Sequence, residues 1–384
     1  MKTKTTRSAQ FTEKQENLYL AFELSNSTWK LGFSVDPGQP VRERDCPAGN
    51  TEKLQKEIEA AKKRFNLSAS AEVRSCYEAG RDGFWLHRYL TKNGIENLIV
   101  DSSSIEVNRR AKQTKTDRID VKKLVSMLMR YYSGEKKLWS IVRVPTVEEE
   151  DRRHLHRELK GLKKERTRSI NRIHGLLANQ GVKVKLAQSG SSEWIEQIRL
   201  WDGTSLPKGL QTRIKREWAY IRYLNDQILA VEGDRRKELQ RPDGEKERDV
   251  KQVEQLLSLR AIGINGAWVL VREFFGWRKF KNRREVGGLA GITGTPYNSG
   301  ESGREQGISK AGNRHVRGII VELAWAWLRY QPKSKLTCWY QRRFGNGTSR
   351  QRRIGIVALA RRLLIDLWRY LEFGVLPEGA ELKS

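Results

Sequence analysis

Cysteine is scarce in this chain. Its 384 residues hold three, Cys46, Cys76 and Cys338, odd in number and far apart, so neither a disulfide framework nor a zinc-type spacing can be read from them. A reducing, cytoplasmic setting fits best. The five histidines show no ligand spacing, and neither a nucleotide P-loop nor a dinucleotide fingerprint is present. No apolar run is long enough to span a bilayer, and the basic start, Met1 to Arg7, leads into Gln, Thr and Glu, which excludes an ordinary signal peptide. Acids are in deficit as well: 46 Asp and Glu face 74 Lys and Arg, a formal charge of +28. Several faces must be positive, and with 12 Trp and 11 Tyr adding stacking surfaces, nucleic acid is the expected partner rather than a membrane.

What is present divides into three parts. After a polar tail over residues 1–16, Leu18 to Leu24 reads as a buried strand that pairs with Trp29 to Val35 across Asn26 and Ser27. Residues 51 to 65 predict a charged amphipathic helix, Val73 to Glu78 a strand, Phe84 to Asn93 a helix and Leu98 to Asp101 a strand. This alternation makes 17–145 an α/β domain. Beyond Pro145 the strand signals stop. Leu155, Leu159, Leu162, Ile170, Ile173 and Leu177 fall at helical spacing, as do Ile214, Trp218, Ile221, Leu224, Ile228 and Val231, so 146–255 should be an antiparallel helical hairpin or coiled coil. Gln188 to Gly209 is the expected irregular connection. Residues 256–384 predict a mainly helical unit with a Gly/Ser-rich loop from Gly294 to Gly307 and no internal repeat.

Two groups of residues carry chemistry. Lys115-Thr116-Asp117-Arg118-Ile119-Asp120 opens a helix, and carboxylates three apart stand side by side on one face. Glu23 sits mid-strand, where a lone charge is costly unless paired or bound to metal, and Glu78 ends a strand. Four such acids suit Mg²⁺ or Mn²⁺, which can polarise a phosphodiester. The plainer reading pairs Glu78 and Asp117 with Arg81, Lys115 or Arg118, and Asp101 competes as another strand-end acid. The second group is Tyr297-Asn298-Ser299-Gly300-Glu301 with Gly307-Ile308-Ser309-Lys310-Ala311-Gly312-Asn313. A loop serine amid Arg304, Lys310, Arg314 and Arg317 can approach a phosphate; as composition alone, Ser-Gly is a turn. Arg260 to Gly266 reads either as a phosphate-binding turn or as a helix corner, and Arg342-Arg343 and Arg350 to Arg353 as phosphate contacts.

In order and spacing these elements resemble, over nearly the whole chain, the DEDD transposases of bacterial insertion sequences, insertion-sequence family 110, also called bridge-RNA-guided serine recombinases. Those elements are Glu23, Tyr77-Glu78-Ala79-Gly80, Lys115 to Asp120, Ile262-Gly263-Ile264, Gly291 to Pro296, Ser299-Gly300-Glu301 and Gly307 to Asn313. The resemblance implies an RNase H-like (RuvC-like) α/β domain, a helical coiled-coil hairpin and a mainly α transposase domain. It implies Glu23, Glu78, Asp117 and Asp120 as metal ligands and Ser299 as the nucleophile. Glu23 replaces the usual Asp, and Ser302 stands close to Ser299. Lys115, Arg118, Arg260, Lys310, Arg314 and Arg317 are the candidate nucleic-acid contacts. The resemblance further implies donor and target DNA, a noncoding bridge RNA, a tetramer in which one subunit's metal domain meets another's serine domain, and a nucleoid-associated location. The competing reading of the residues is a metal-dependent structure-specific nuclease that uses water, and a third is a non-catalytic nucleic-acid binder.

Overall fold

The computed structural model describes residues 17–80, 83–105, 117–186, 191–299 and 302–383, with the backbone alone at 103, 117–120, 296–299 and 302–306. Two compact units meet at Pro145 and Thr146.

The first unit is built on a five-stranded sheet. Strands β1 (Asn17–Glu23), β2 (Thr28–Ser34), β3 (Arg42–Pro47), β4 (Glu72–Glu78) and β5 (Glu96–Val100) lie in the order β3-β2-β1-β4-β5. β1, β2 and β3 form an antiparallel meander, and β4 and β5 continue parallel to β1. Alternation along β1 sends Leu18, Leu20 and Phe22 to one face, where Tyr77, Leu54 of α1 (Thr51–Arg64) and Leu86 of α2 (Trp85–Lys92) complete a core. Tyr19 and Ala21 face the other way, onto α3 (Asp117–Tyr132). That helix sits close because Gly32, Ala21 and Cys76 form a row of small residues across three strands. A Cβ on Gly32 would stand 2.5 Å from a Val121 methyl, and the Cys76 thiol donates to the Leu124 carbonyl at 3.8 Å. The mixed α/β arrangement around this sheet is compatible with an RNase H-like fold. Glu23 is the last residue of β1 rather than mid-strand, because the chain turns at Ser25, whose hydroxyl bonds Thr28. The charged strand β3 was not expected.

The second unit is helical. After α4 (Val147–Asp151), capped by the reciprocal Thr146 and Glu149 bonds, come α5 (His154–Ala178), α6 (Trp194–Gln197) and α7 (Lys208–Gln240). Leu159 packs with Ile228 and Val231, and Ile173 and Leu177 with Ile214 and Trp218, so α5 and α7 are antiparallel. Lys163 to Glu232 (2.7 Å), Arg166 to Asn225 (3.0 Å) and Ser169 to Glu217 (2.7 Å) cross between them.

The remaining helices are α8 (Arg248–Leu257), α9 (Ile264–Leu270) with a π turn over Val271–Phe275, α10 (Arg283–Leu289), α11 (Arg314–Tyr330), α12 (Lys335–Phe344) and α13 (Ser349–Phe373). Trp268, Phe274, Trp327, Leu363 and Leu367 centre their core. The Gly/Ser-rich segment expected as a loop is instead a hairpin of β6 (Gly294–Ser299) and β7 (Ser302–Ile308), antiparallel with a bulge near Pro296. Glycines that punctuate a sequence also serve a two-stranded turn, and composition does not separate the two.

Candidate active site

Phe22 pairs with Tyr77 across parallel strands, so Glu23 and Glu78, one residue on, are neighbours at the C-terminal ends of β1 and β4. Phe22 and Tyr77 are buried in the opposite core, so alternation turns both half-buried acids to the α3 face, two residues beyond Ala21 and Cys76. Tyr132, at the end of α3, lies 6.1 Å from the Tyr19 ring and under the Arg74 guanidinium at 4.4 Å, near the strand starts. Val121 meets Gly32, opposite Ala21. The helix therefore runs antiparallel to β1 and β4, and its first turn, Asp117 to Asp120, lies toward the end of the sheet that holds Glu23 and Glu78. Asp101 follows Val100, the partner of Glu78, and its backbone N–H donates to Ser140 at 2.9 Å. Two half-buried carboxylates on adjoining strand ends are hard oxygen donors of the type Mg²⁺ or Mn²⁺ takes, although among the described residues no three potential ligands gather at one point. At Asp117, Arg118 and Asp120 the backbone alone is described; Lys115 lies outside the described residues.

Ser299 closes β6 and pairs with Ser302, at the turn of the hairpin. The base of that hairpin is fixed by two interlocked turns. The Ser309 N–H donates to Thr293 (2.9 Å), Lys310 to Gly291 (3.2 Å) and Asn313 to Leu289 (3.1 Å). Gly291 and Gly312 both have positive φ, and a Cβ at either would stand 2.0 Å or 2.1 Å from the carbonyl oxygen of Ala311 or Leu289. Only glycine fits. The Arg317 guanidinium donates to the Lys310 carbonyl at 2.9 Å and Asn313 caps α11, so part of this basic motif shapes the backbone. Lys310 and Arg314 are exposed, whereas Arg260 is held by Glu381 at 2.5 Å.

Behind the motif is a buried ionic cluster that sequence reasoning missed. Glu273, fully buried in the π turn, accepts from Arg157 (2.6 and 2.9 Å), His156 Nε2 (2.8 Å) and Asn313 Nδ2 (2.8 Å). Burial raises the Glu273 pKa, but the bonds from His156, Arg157 and Asn313 and the Arg157 charge outweigh it and hold the carboxyl well below its usual range. Burial pushes His156 down against the pull of Glu273, so the pair is a neutral imidazole donating to a carboxylate, with Arg157 as the counter-charge. The signal was an acid inside the apolar run Trp268 to Phe275, the same argument that singled out Glu23. π turns inside helices are frequent at functional sites.

Residues 253–338 match the family described as Transposase IS116/IS110/IS902 family. A Sinorhizobium fredii protein named as a transposase, y4rJ, is 38% identical over 376 residues, covering 96% of this chain and 95% of its own length. The transposase for insertion sequence element IS1328 of Yersinia enterocolitica is 24% identical over 56% of this chain and 60% of its own. That for IS1533 of Leptospira borgpetersenii is 22% identical over 44% and 46%.

Proposed function

This chain belongs to the IS116/IS110/IS902 transposase family, and on that premise we propose that it excises and inserts a mobile element through a serine-linked DNA intermediate. A transposase acts on DNA, and the basic excess of the chain suits that substrate. In this reading the Ser299 hydroxyl gives its proton to water and its oxygen attacks a DNA phosphorus. A serine–phosphate bond forms as the phosphorus–sugar oxygen bond breaks, and the leaving oxygen takes up a proton. The phosphoserine keeps the phosphate activated for rejoining. Glu23, Glu78, Asp117 and Asp120 would hold Mg²⁺ or Mn²⁺, which when bound would supply Lewis-acid polarisation of a DNA phosphate. Exposed Lys310 and Arg314 supply charge toward a phosphate near the hairpin.

The observation that carries this reading is the hairpin: Ser299 stands at the turn of a two-stranded element whose base is pinned by paired glycine turns and by Asn313 on Glu273. A RuvC-like assignment for the sheet domain, a coiled-coil role for α5 and α7, a noncoding bridge RNA, a tetramer and a nucleoid location belong to the same reading, supported by the resemblance of the motifs. The test is to trap the protein–DNA adduct in denaturing gels with suicide substrates. Wild type should give an adduct and Ser299→Ala none. Strand cleavage that survives in Ser299→Ala would establish water as the nucleophile and remove the recombinase mechanism.

A further inference from the structure

The second unit carries a cleft of about 870 Å³ between α10, α12, α13 and the C-terminal segment, lined by seven cationic side chains against two acids. Arg283, Arg284, Arg342 and Arg361 make no ion pair among the described residues, although each is exposed. Arg362 lies over the Trp339 ring at 4.0 Å, leaving its donors to the open side. Like charges gathered at this density repel one another, and among the described residues only the acid pairs Lys335 with Glu378 (2.5 Å) and Arg369 with Asp366 (3.7 Å) offset them. Burial raises the Asp366 pKa against the pull of Arg369, Arg362 and Lys335. A concave surface of this kind is complementary to a polyanion whose charges are regularly spaced.

We propose that this cleft is a binding site for the DNA backbone, holding the strand that flanks the cut through phosphate contacts from Arg283, Arg284, Arg342, Arg361 and Arg362. Guanidinium forks match phosphate oxygens bidentately, and Trp339 adds a flat apolar wall beside them. Thr293, on the cleft wall, directly precedes β6. At about 3.3 Å per residue the Ser299 backbone is therefore within roughly 20 Å, which on one strand is about six nucleotides. This position beside the cut rests on Ser299 as nucleophile; the binding itself rests only on DNA as the substrate. The C-terminal segment forms one wall and is fixed there: Lys335 donates its N–H to Glu378 (3.0 Å), and the Gln331 side chain bonds both backbone groups of Glu381 (2.8 Å each). Glu378 is thus an anion held at the rim of a cationic cleft, where it competes with an entering phosphate.

The full-length chain carrying Arg342→Gln with Arg361→Gln would be titrated against a labelled random-sequence DNA duplex over a salt series, beside a control of equal charge on α7, Arg216→Gln with Arg222→Gln. If the cleft holds two phosphates through these residues, the logarithmic salt slope becomes shallower by about 2 and affinity falls on the order of 50-fold at 0.1 M salt. The control should change several-fold less, and Glu378→Gln should tighten binding. Equal losses in the cleft and control variants would overturn the proposal, since net charge alone would then explain binding. So would an unchanged slope, or a loss seen with a single-stranded RNA probe and not with DNA. Circular dichroism and the melting temperature of each variant exclude unfolding, because all four arginines are exposed. No covalent step is read, so the outcome stands whichever group attacks the phosphate.

Discussion

Replacing Glu273 by Ala should destabilise the second unit by about 3 kcal/mol, at the low end of the range for breaking a buried ion pair. The lower figure is chosen because the Arg157 side chain is 39% exposed, so water recovers part of what it loses. The His156 Nε2–H has no such recourse and is left facing a cavity, while the Asn313 amide keeps only its long bond to the Glu273 backbone carbonyl at 3.5 Å. For a unit of this size the melting temperature should drop by roughly 6–12 °C. Glu273→Gln separates charge from shape. It keeps one acceptor oxygen but turns an NH₂ toward a donor, and should cost roughly half as much. Differential scanning calorimetry of the full chain gives the shift, and amide exchange locates it. The start of α11 and the 307–313 turn should exchange faster, because Asn313 links them to Glu273. A Glu273→Ala protein melting within about 1 °C of wild type would refute the reasoning.

Acid should destabilise the fold in a defined order. His156 and His315 are both lowered by burial, so their contribution is complete above the free-histidine range near 6.5 and is lost as pH falls through it; the depressed Glu273 adds a further loss below about 4.3. Urea midpoints measured from pH 8 to 4 should fall monotonically, and a midpoint that rises between pH 7 and 5 would contradict this. Gly312→Ala should cost at least about 2 kcal/mol in urea unfolding, through its positive φ and the clash with Leu289, and should reduce adduct formation with it. Gly288→Ala, inside α10 with open space at its Cβ, should be neutral or stabilise by up to about 1 kcal/mol.

Much of this architecture is legible where periodicity is strict. The alternation from Leu18 to Glu23 reports two faces, and the apolar steps in α5 and α7 report a seam that the structure fills with the same residues. β3 is not legible, because Arg42-Glu43-Arg44-Asp45 at a sheet edge has one solvated side and no apolar rhythm. The hairpin is not legible because strand and loop share its glycines and serines, and its pairing is a non-local fact. Glu273 shows the limit most plainly. A buried acid announces that it needs partners, but those partners lie 116, 117 and 40 residues away in Arg157, His156 and Asn313. The strand-end acids are easier, since two parallel neighbours of equal register bring Glu23 beside Glu78 by topology alone.

The row of small residues under α3 has an evolutionary corollary. Gly32, Ala21 and Cys76 set the height at which Val121 and Val125 rest, and the same helix begins with Asp117 and Asp120. Growth at position 32 must then be matched by shrinkage at 121 or 125, or the acids at the helix start shift by the thickness of a methyl group. If Asp117 and Asp120 act as proposed, volumes at these sites should covary among relatives while their sum stays nearly constant, so that drift in the core is filtered by the acids one helical turn away.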